Sequence, residues 1–266
     1  MENLLALIEP ANLLLVCVLT FVAGFLDAVV GGGGLITIPA LLINFPTVAV
    51  PSLFGTNKIA SLSGTSIAAY HFSKKIKFDF KILISVGICA ASASFLGAQI
   101  MNRINVNALK PLIFFILIFI AIYTFIKKDF GNNKTTKEMS VNKSILVGCI
   151  LGLLIGFYDG FFGPGTGSFL IMGFIWLLGF DFLKASAYSK IINCITNFSA
   201  IVVFISSGYF ILELALILAI CNISGNYFGS KMAIKKGNEF IRIIFLIIVS
   251  IMILRYGYEI FIKKVD

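Results

Sequence analysis

Charge is what this sequence has least of. Asp, Glu, Lys and Arg make up 12% of its 266 residues, while 59% are hydrophobic and the mean hydropathy is +1.03. Soluble domains carry roughly 25% charged residues. So few polar groups cannot cover a water-facing surface, and the surrounding solvent must be largely lipid. Histidine is nearly absent: His71 stands alone, which excludes a histidine-rich zinc centre and an H-E-x-x-H protease. The five cysteines, Cys17, Cys89, Cys149, Cys194 and Cys221, are scattered singly in apolar context without a C-x-x-C. They read as small hydrophobes within helices. No metal, no cofactor and no catalytic residue is expected. Alternating strands are missing too. Unbroken apolar runs such as 112–126 and 243–254 stand instead, and of the two structures that can span a bilayer these exclude the barrel. The fold class is therefore an all-α integral membrane protein. The net charge of +9 marks cytoplasmic loops, not a nucleic-acid surface. Glu2 and Glu9 stand where a signal peptide has basic residues, so the first apolar run reads as a retained span.

Ten apolar segments can be drawn: 11–30, 35–50, 56–72, 81–101, 108–126, 143–162, 168–180, 187–206, 210–230 and 240–262. A bilayer needs about 20 helical residues, so 35–50 and 168–180 are short. Both follow glycine-rich breaks. The two halves match at a shift of 132 residues: Gly24-Phe25-Leu26-Asp27 falls on Gly156-Phe157-Tyr158-Asp159, Lys58-Ile59 on Lys190-Ile191, and Gly97 on Gly229. Chance identities are common in so biased a composition, but Asp and Lys are rare in apolar segments, and they recur at matched positions. The organisation is a first transmembrane repeat over 1–128, a cytoplasmic linker over 129–142 and a second repeat over 143–266. Five segments per repeat is odd, so the second copy is inverted. With ten crossings, the Lys-bearing stretches 74–81, 127–137 and 231–236 share the cytoplasmic side and the uncharged loop 206–209 lies outside. Lys263 and Lys264 also fall outside, against the positive-inside trend. Inverted repeats with broken helices mark secondary transporters, with the site where the breaks meet.

Two constellations carry the chemistry. In the first, Asp27 precedes Gly31, Gly32, Gly33 and Gly34, and Asp159 precedes Gly163, Pro164, Gly165, Thr166, Gly167 and Ser168. Four glycines cost a helix roughly 1 kcal/mol each against alanine, so the helix breaks. The restarted helix offers N–H groups and a dipole to an anion, and Thr166 and Ser168 add hydroxyls. Intramembrane aspartates are expensive and usually functional. Asp27 and Asp159 are read either as proton carriers for coupling or as caps of the helices that restart after them. In the second constellation, Asn57, Lys58, Ser61 and Thr65 match Ser189, Lys190, Asn193 and Asn197. Positions 58, 61 and 65, and likewise 190, 193 and 197, share a helix face, making a Lys-headed polar stripe suited to an oxyanion. The plainer reading is a lysine beginning its span and snorkelling to the headgroups above a polar packing seam. His71, Trp176 and Glu213 read as interfacial or lipid-facing residues.

The run from Gly24 to Gly34, and more specifically its copy from Gly156 to Gly167, resembles the TauE/SafE sulfite-exporter family of membrane permeases. The Asn57-Lys58 and Ser189-Lys190 pairs fit the same family. The resemblance covers nearly the whole chain and implies a multi-pass carrier of the bacterial inner membrane for sulfite, sulfonates or related small anions. The first copy departs from the second at Ala28, where the second has Gly160, and it lacks the Pro-Gly pair. The expected partners are a small anionic substrate and the lipid bilayer, with a homodimer left open. A channel, and an intramembrane aspartyl protease built on Tyr158-Asp159 with Asp27, are the competing readings.

Overall fold

The computed structural model describes residues 10–102 and 140–236. Among these residues all regular structure is helical. Eight helices follow in order: α1 (Pro10–Val30), α2 (Gly34–Asn44), α3 (Val50–Ser73), α4 (Phe80–Met101), α5 (Val141–Phe161), α6 (Thr166–Leu178), α7 (Phe182–Ser206) and α8 (Leu212–Lys236). Helices α1, α4, α5, α7 and α8 are long and apolar enough to cross a membrane. The 24 residues of α3 are long enough as well, but its polar stripe lowers its hydropathy. At 1.5 Å per residue, α2 and α6 reach only about 16 Å and 20 Å, short of a hydrocarbon core of about 30 Å. The expected segments 108–126 and 240–262, and the linker up to residue 139, lie outside the described residues; the last residues assigned to the linker belong to α5, which Ser140 caps and Val141 opens.

Local chemistry sets several boundaries. Helix α3 starts well before the expected residue 56, because Pro51 occupies its first turn, where a missing N–H costs nothing. Helix α7 likewise starts at 182: the Asp181 carboxylate accepts the Lys184 N–H at 2.9 Å and caps the helix. Lys58 and Lys190 therefore lie eight residues inside their helices rather than at the ends.

Small residues let the long helices approach closely, as they do in lipid, where hydrophobicity gives no drive for helices to associate. Along α5, Gly148, Gly152, Gly156 and Gly160 recur every fourth residue. Gly152 lies against Val86, Gly156 against Ala90 and Gly160 against Ser94, so α4 and α5 run in the same direction. Gly225 and Gly229 lie against Phe21 and Phe25, which sets α1 parallel to α8. Contacts of Gly55 with Tyr209, Gly64 with Asn222 and His71 with Ser230 set α3 parallel to α8. Bonds from Ser94 to the Thr196 carbonyl and from Asn102 to Ser207 set α4 parallel to α7. Gly55 beside Phe204 and Ser66 beside Cys194 set α3 antiparallel to α7. So α1, α3 and α8 point one way, and α4, α5 and α7 the other.

Apart from Lys58 and Lys190, every described lysine lies at the end of the bundle where α3 and α8 finish and α4, α5 and α7 begin. The loop at 206–209 lies at the other end. At the lysine-rich end His71 shares a 2.6 Å hydrogen bond with Ser230, and Lys74 and Lys231 sit over the Tyr70 and Tyr227 rings. His71 thus lies among the lysines at this end of the bundle. Trp176 is half-exposed on α6, and Glu213 is exposed in the first turn of α8.

Candidate functional site

Helix α1 stops at Val30, just before Gly31, and α5 stops at Phe161, capped by Phe162 just before Gly163. Gly31, Gly163 and Gly165 have φ of +80°, +93° and +83°, a region side chains rarely adopt. The two breaks meet. A Cβ on Gly31 would lie 2.2 Å from the Gly167 carbonyl carbon, and one on Gly34 would lie 3.1 Å from Pro164 Cα. The Ser168 N–H donates to the Gly31 carbonyl at 3.1 Å, and the Ser168 hydroxyl donates to the Val30 carbonyl at 2.6 Å. Ser189 donates to the Gly167 carbonyl at 3.0 Å, and the Tyr158 hydroxyl donates to the Pro164 carbonyl at 2.6 Å. The breaks thus form one cross-tied junction. Part of the expected N–H array is used inside it: Thr166 N–H bonds the Gly163 carbonyl, and Leu35 N–H bonds the Gly32 carbonyl. Gly33 sits at the start of α2 against Ala23 and the Cβ of Asp27.

Around this junction lie four buried charges. Asp27 and Asp159 are 5% and 2% exposed, and Lys58 and Lys190 are 3% and 0% exposed. The lysines do not snorkel. Lys58 Nζ lies 2.8 Å from Asp159 Oδ1, and Lys190 Nζ lies 3.4 Å from Asp27 Oδ2. Each lysine pairs with the aspartate of the other half of the chain. Lys190 also donates to the Asp27 backbone carbonyl. Asp27 Oδ2 accepts the Thr65 hydroxyl at 2.9 Å, and Asp159 Oδ1 accepts the Thr166 hydroxyl at 2.7 Å. Asp159 Oδ2 is buried without a partner among the described residues. Neither carboxylate caps a restarted helix: α2 and α6 are capped by Gly33 and Gly165 with no side-chain bond. The cap reading fails: the bonds each carboxylate makes go to a lysine and a threonine hydroxyl, not to the N–H groups that open α2 and α6.

The remaining stripe residues divide. Asn193 and Asn197 are buried, and the Asn197 amide donates to the Asn193 side-chain oxygen at 2.9 Å. Ser61 is half-buried on α3 between Lys58 and Thr65, and Asn57 is buried beside Lys58. A buried polar row on α8 was not foreseen: Asn222, Asn226 and Ser230 lie every fourth residue, with Asn226 donating to Asn222 Oδ1 at 2.8 Å. Their four-residue spacing was the signal available. No group of three or more His, Cys, Asp or Glu suited to a metal occurs among the described residues. An aspartyl protease needs its two carboxylates facing each other, whereas each carboxylate here faces a lysine.

The profile described as Sulfite exporter TauE/SafE matches residues 16–256. A probable membrane transporter protein, ORF9, of Sinorhizobium sp. is 37% identical over 236 residues, covering 88% of this chain and 87% of its own. One from Haemophilus influenzae is 33% identical, covering 90% and 92%. The probable membrane transporter YfcA of Escherichia coli is 29% identical, covering 97% and 94%. No solved structure matches.

Proposed function

We propose, for a chain that belongs to the TauE/SafE sulfite exporter family, that it is a secondary carrier of small anions working by alternating access. The observation that carries this reading is the reciprocal pair of buried Lys–Asp contacts around two crossed helix breaks. A buried lysine held by a carboxylate is a cation that an incoming oxyanion can claim, and the hydroxyl and amide groups of Ser61, Thr65, Asn193 and Asn197 flank it. The cargo is sulfite, a sulfonate or a related small anion. Protonation of Asp27 or Asp159 would free its lysine, so uptake or export coupled to protons follows from the same geometry.

The helix directions support the inverted-repeat reading. Helix α1 runs against α5, α3 against α7 and α4 against α8, and contacts recur with the halves exchanged: Gly97 on Phe157 and Gly229 on Phe25. The lysine-rich end is the cytoplasmic one by the positive-inside trend, in a bacterial-type inner membrane. Flux into proteoliposomes tests the carrier reading. Sulfite, sulfate, thiosulfate and small sulfonates are offered with and without a pH gradient, and Asp159→Asn and Lys190→Ala are the controls. Saturable, gradient-driven flux that fails in both variants supports it. Full flux in both variants refutes the roles given to these residues.

A further inference from the structure

We propose that the two ion pairs are the carrier's two gates: Lys190–Asp27 closes the route from the lysine-rich end, Lys58–Asp159 closes the route from the opposite end, and the anion opens each by replacing the carboxylate as counter-ion. The inference rests on the carrier reading and adds which pair guards which side.

Depth is the first argument. Helices α3 and α7 are antiparallel, and each lysine lies eight residues from the start of its helix, Val50 to Lys58 and Phe182 to Lys190. That is about 12 Å from opposite ends of the bundle. A second measure agrees. Lys58 meets Asp159 at one level of α3, while Thr65 meets Asp27 seven residues later, about 10 Å along the axis. The pairs are therefore stacked along the bundle, one toward each end.

Connectivity is the second argument. The Lys58 gate joins α3 to α5, and the Lys190 gate joins α7 to α1. No side chain is shared, so one can part while the other holds. Ser61 lies between the two levels on α3. Electrostatics then sets the opening rule. A buried cation stripped of its partner is costly, so the anion takes over the lysine as the carboxylate turns to water at the opened end, and the lysine is never without a counter-ion. The gates are also unequal. Lys190 holds both the side chain and the main chain of Asp27. Lys58 holds one oxygen of Asp159, whose other oxygen has no partner among the described residues.

Side-specific thiol labelling tests this without needing the substrate. The five native cysteines are replaced in the full chain, and Ser61→Cys is introduced as reporter. An impermeant maleimide is applied to right-side-out and inside-out vesicles. Weakening one charged contact shifts an opening equilibrium by about tenfold or more. Asp159→Asn should raise labelling by that factor from the face opposite the lysine-rich end only. Asp27→Asn should raise it from the lysine-rich face only. The charge exchange Lys58→Asp with Asp159→Lys should restore protection, which a merely structural role of either residue would not do. A rise on the same face in both variants, or no side-specific rise in protein that elutes as a folded species, overturns the gates. If an Asn variant does not fold, Lys58→Gln and Lys190→Gln are read by the same criterion. Flux that fails for every anion alongside side-specific labelling would remove the carrier reading and leave the gates standing.

Discussion

Gly31→Ala tests the crossed breaks most directly, with Gly208→Ala as its internal control. Both glycines have positive φ, +80° and +72°. Both variants therefore pay the left-handed penalty of about 1–2 kcal/mol. They differ in their surroundings. A Cβ on Gly208 meets nothing within 4 Å, whereas one on Gly31 would lie 2.2 Å from the Gly167 carbonyl carbon and 2.5 Å from Ser168 N. Ordinary contact begins at 3.4 Å, so the breaks would have to separate by 3.4 − 2.2, or about 1.2 Å. The atoms in the way are backbone and cannot swing aside. Such a shift strains the two bonds from Ser168 to the Gly31 and Val30 carbonyls. Each costs about 1–3 kcal/mol if a buried partner is orphaned. The sum is about 3–8 kcal/mol for Gly31→Ala against about 1–2 for Gly208→Ala. Thermal unfolding of detergent-purified protein, followed by loss of the monodisperse size-exclusion peak, reads the difference. A small drop for Gly208→Ala and a large drop or no folded protein for Gly31→Ala is expected. Equal stability of the two variants would refute the close crossing.

Three further outcomes follow from the same contacts. Lys58→Ala leaves Asp159 buried without its cation and should cost about 3–5 kcal/mol, most of it recovered in Lys58→Ala/Asp159→Ala; thermal midpoints of the two singles and the double measure the coupling, and additive losses would deny the pair. Gly160→Ala should destabilise far more than Gly148→Ala, because its Cβ would meet the Ser94 carbonyl oxygen at 1.9 Å while that of Gly148 meets the Val86 methyl at 2.6 Å and an outlying Leu178 methyl; parity in the same melting assay would argue against the α4–α5 seam. Thr166→Val removes a donor to Asp159 Oδ1 and to the Gly163 carbonyl and should cost about 1–3 kcal/mol, with Thr166→Ser recovering most of it; equal melting of the Val and Ser variants would show that the hydroxyl is idle.

The apolar spans and the breaks were legible because lipid imposes a simple rule: long runs make helices, and glycine runs interrupt them. The helix starts were less so. Thr56 and Asn57 look like a boundary in hydropathy, yet they are buried inside α3, where the Thr56 hydroxyl donates to the Ser52 carbonyl and accepts the Ile211 N–H. Polar residues satisfied by the bundle are indistinguishable in sequence from residues facing water. The same ambiguity made the snorkelling lysine a fair alternative, and it was settled only by burial. The row Asn222, Asn226 and Ser230 was passed over because its counterpart in the first half, Ala90, Ser94 and Ala98, is mostly apolar, so the duplication that exposed the other polar residues did not point to it.

Least legible was the partner of each charge. The match of the two halves at a shift of 132 residues aligns Asp27 with Asp159 and Lys58 with Lys190, and it is silent on whether a lysine seeks its own aspartate or the other's. The helix directions decide. Lys58 lies near the start of α3 and Asp27 near the end of α1, and these two helices run the same way, so within one half the charges are separated along the axis. The opposite half runs the other way and brings Asp159 back to the level of Lys58. Each charge can be neutralised only by the other half, which makes the two halves mutually dependent for burial of their own ions. If the two pairs are gates as proposed, a fold in which both form at once is closed at both ends. Exchanging a carboxylate for a substrate anion at one end leaves the other closed, and that is the minimum an alternating-access carrier requires.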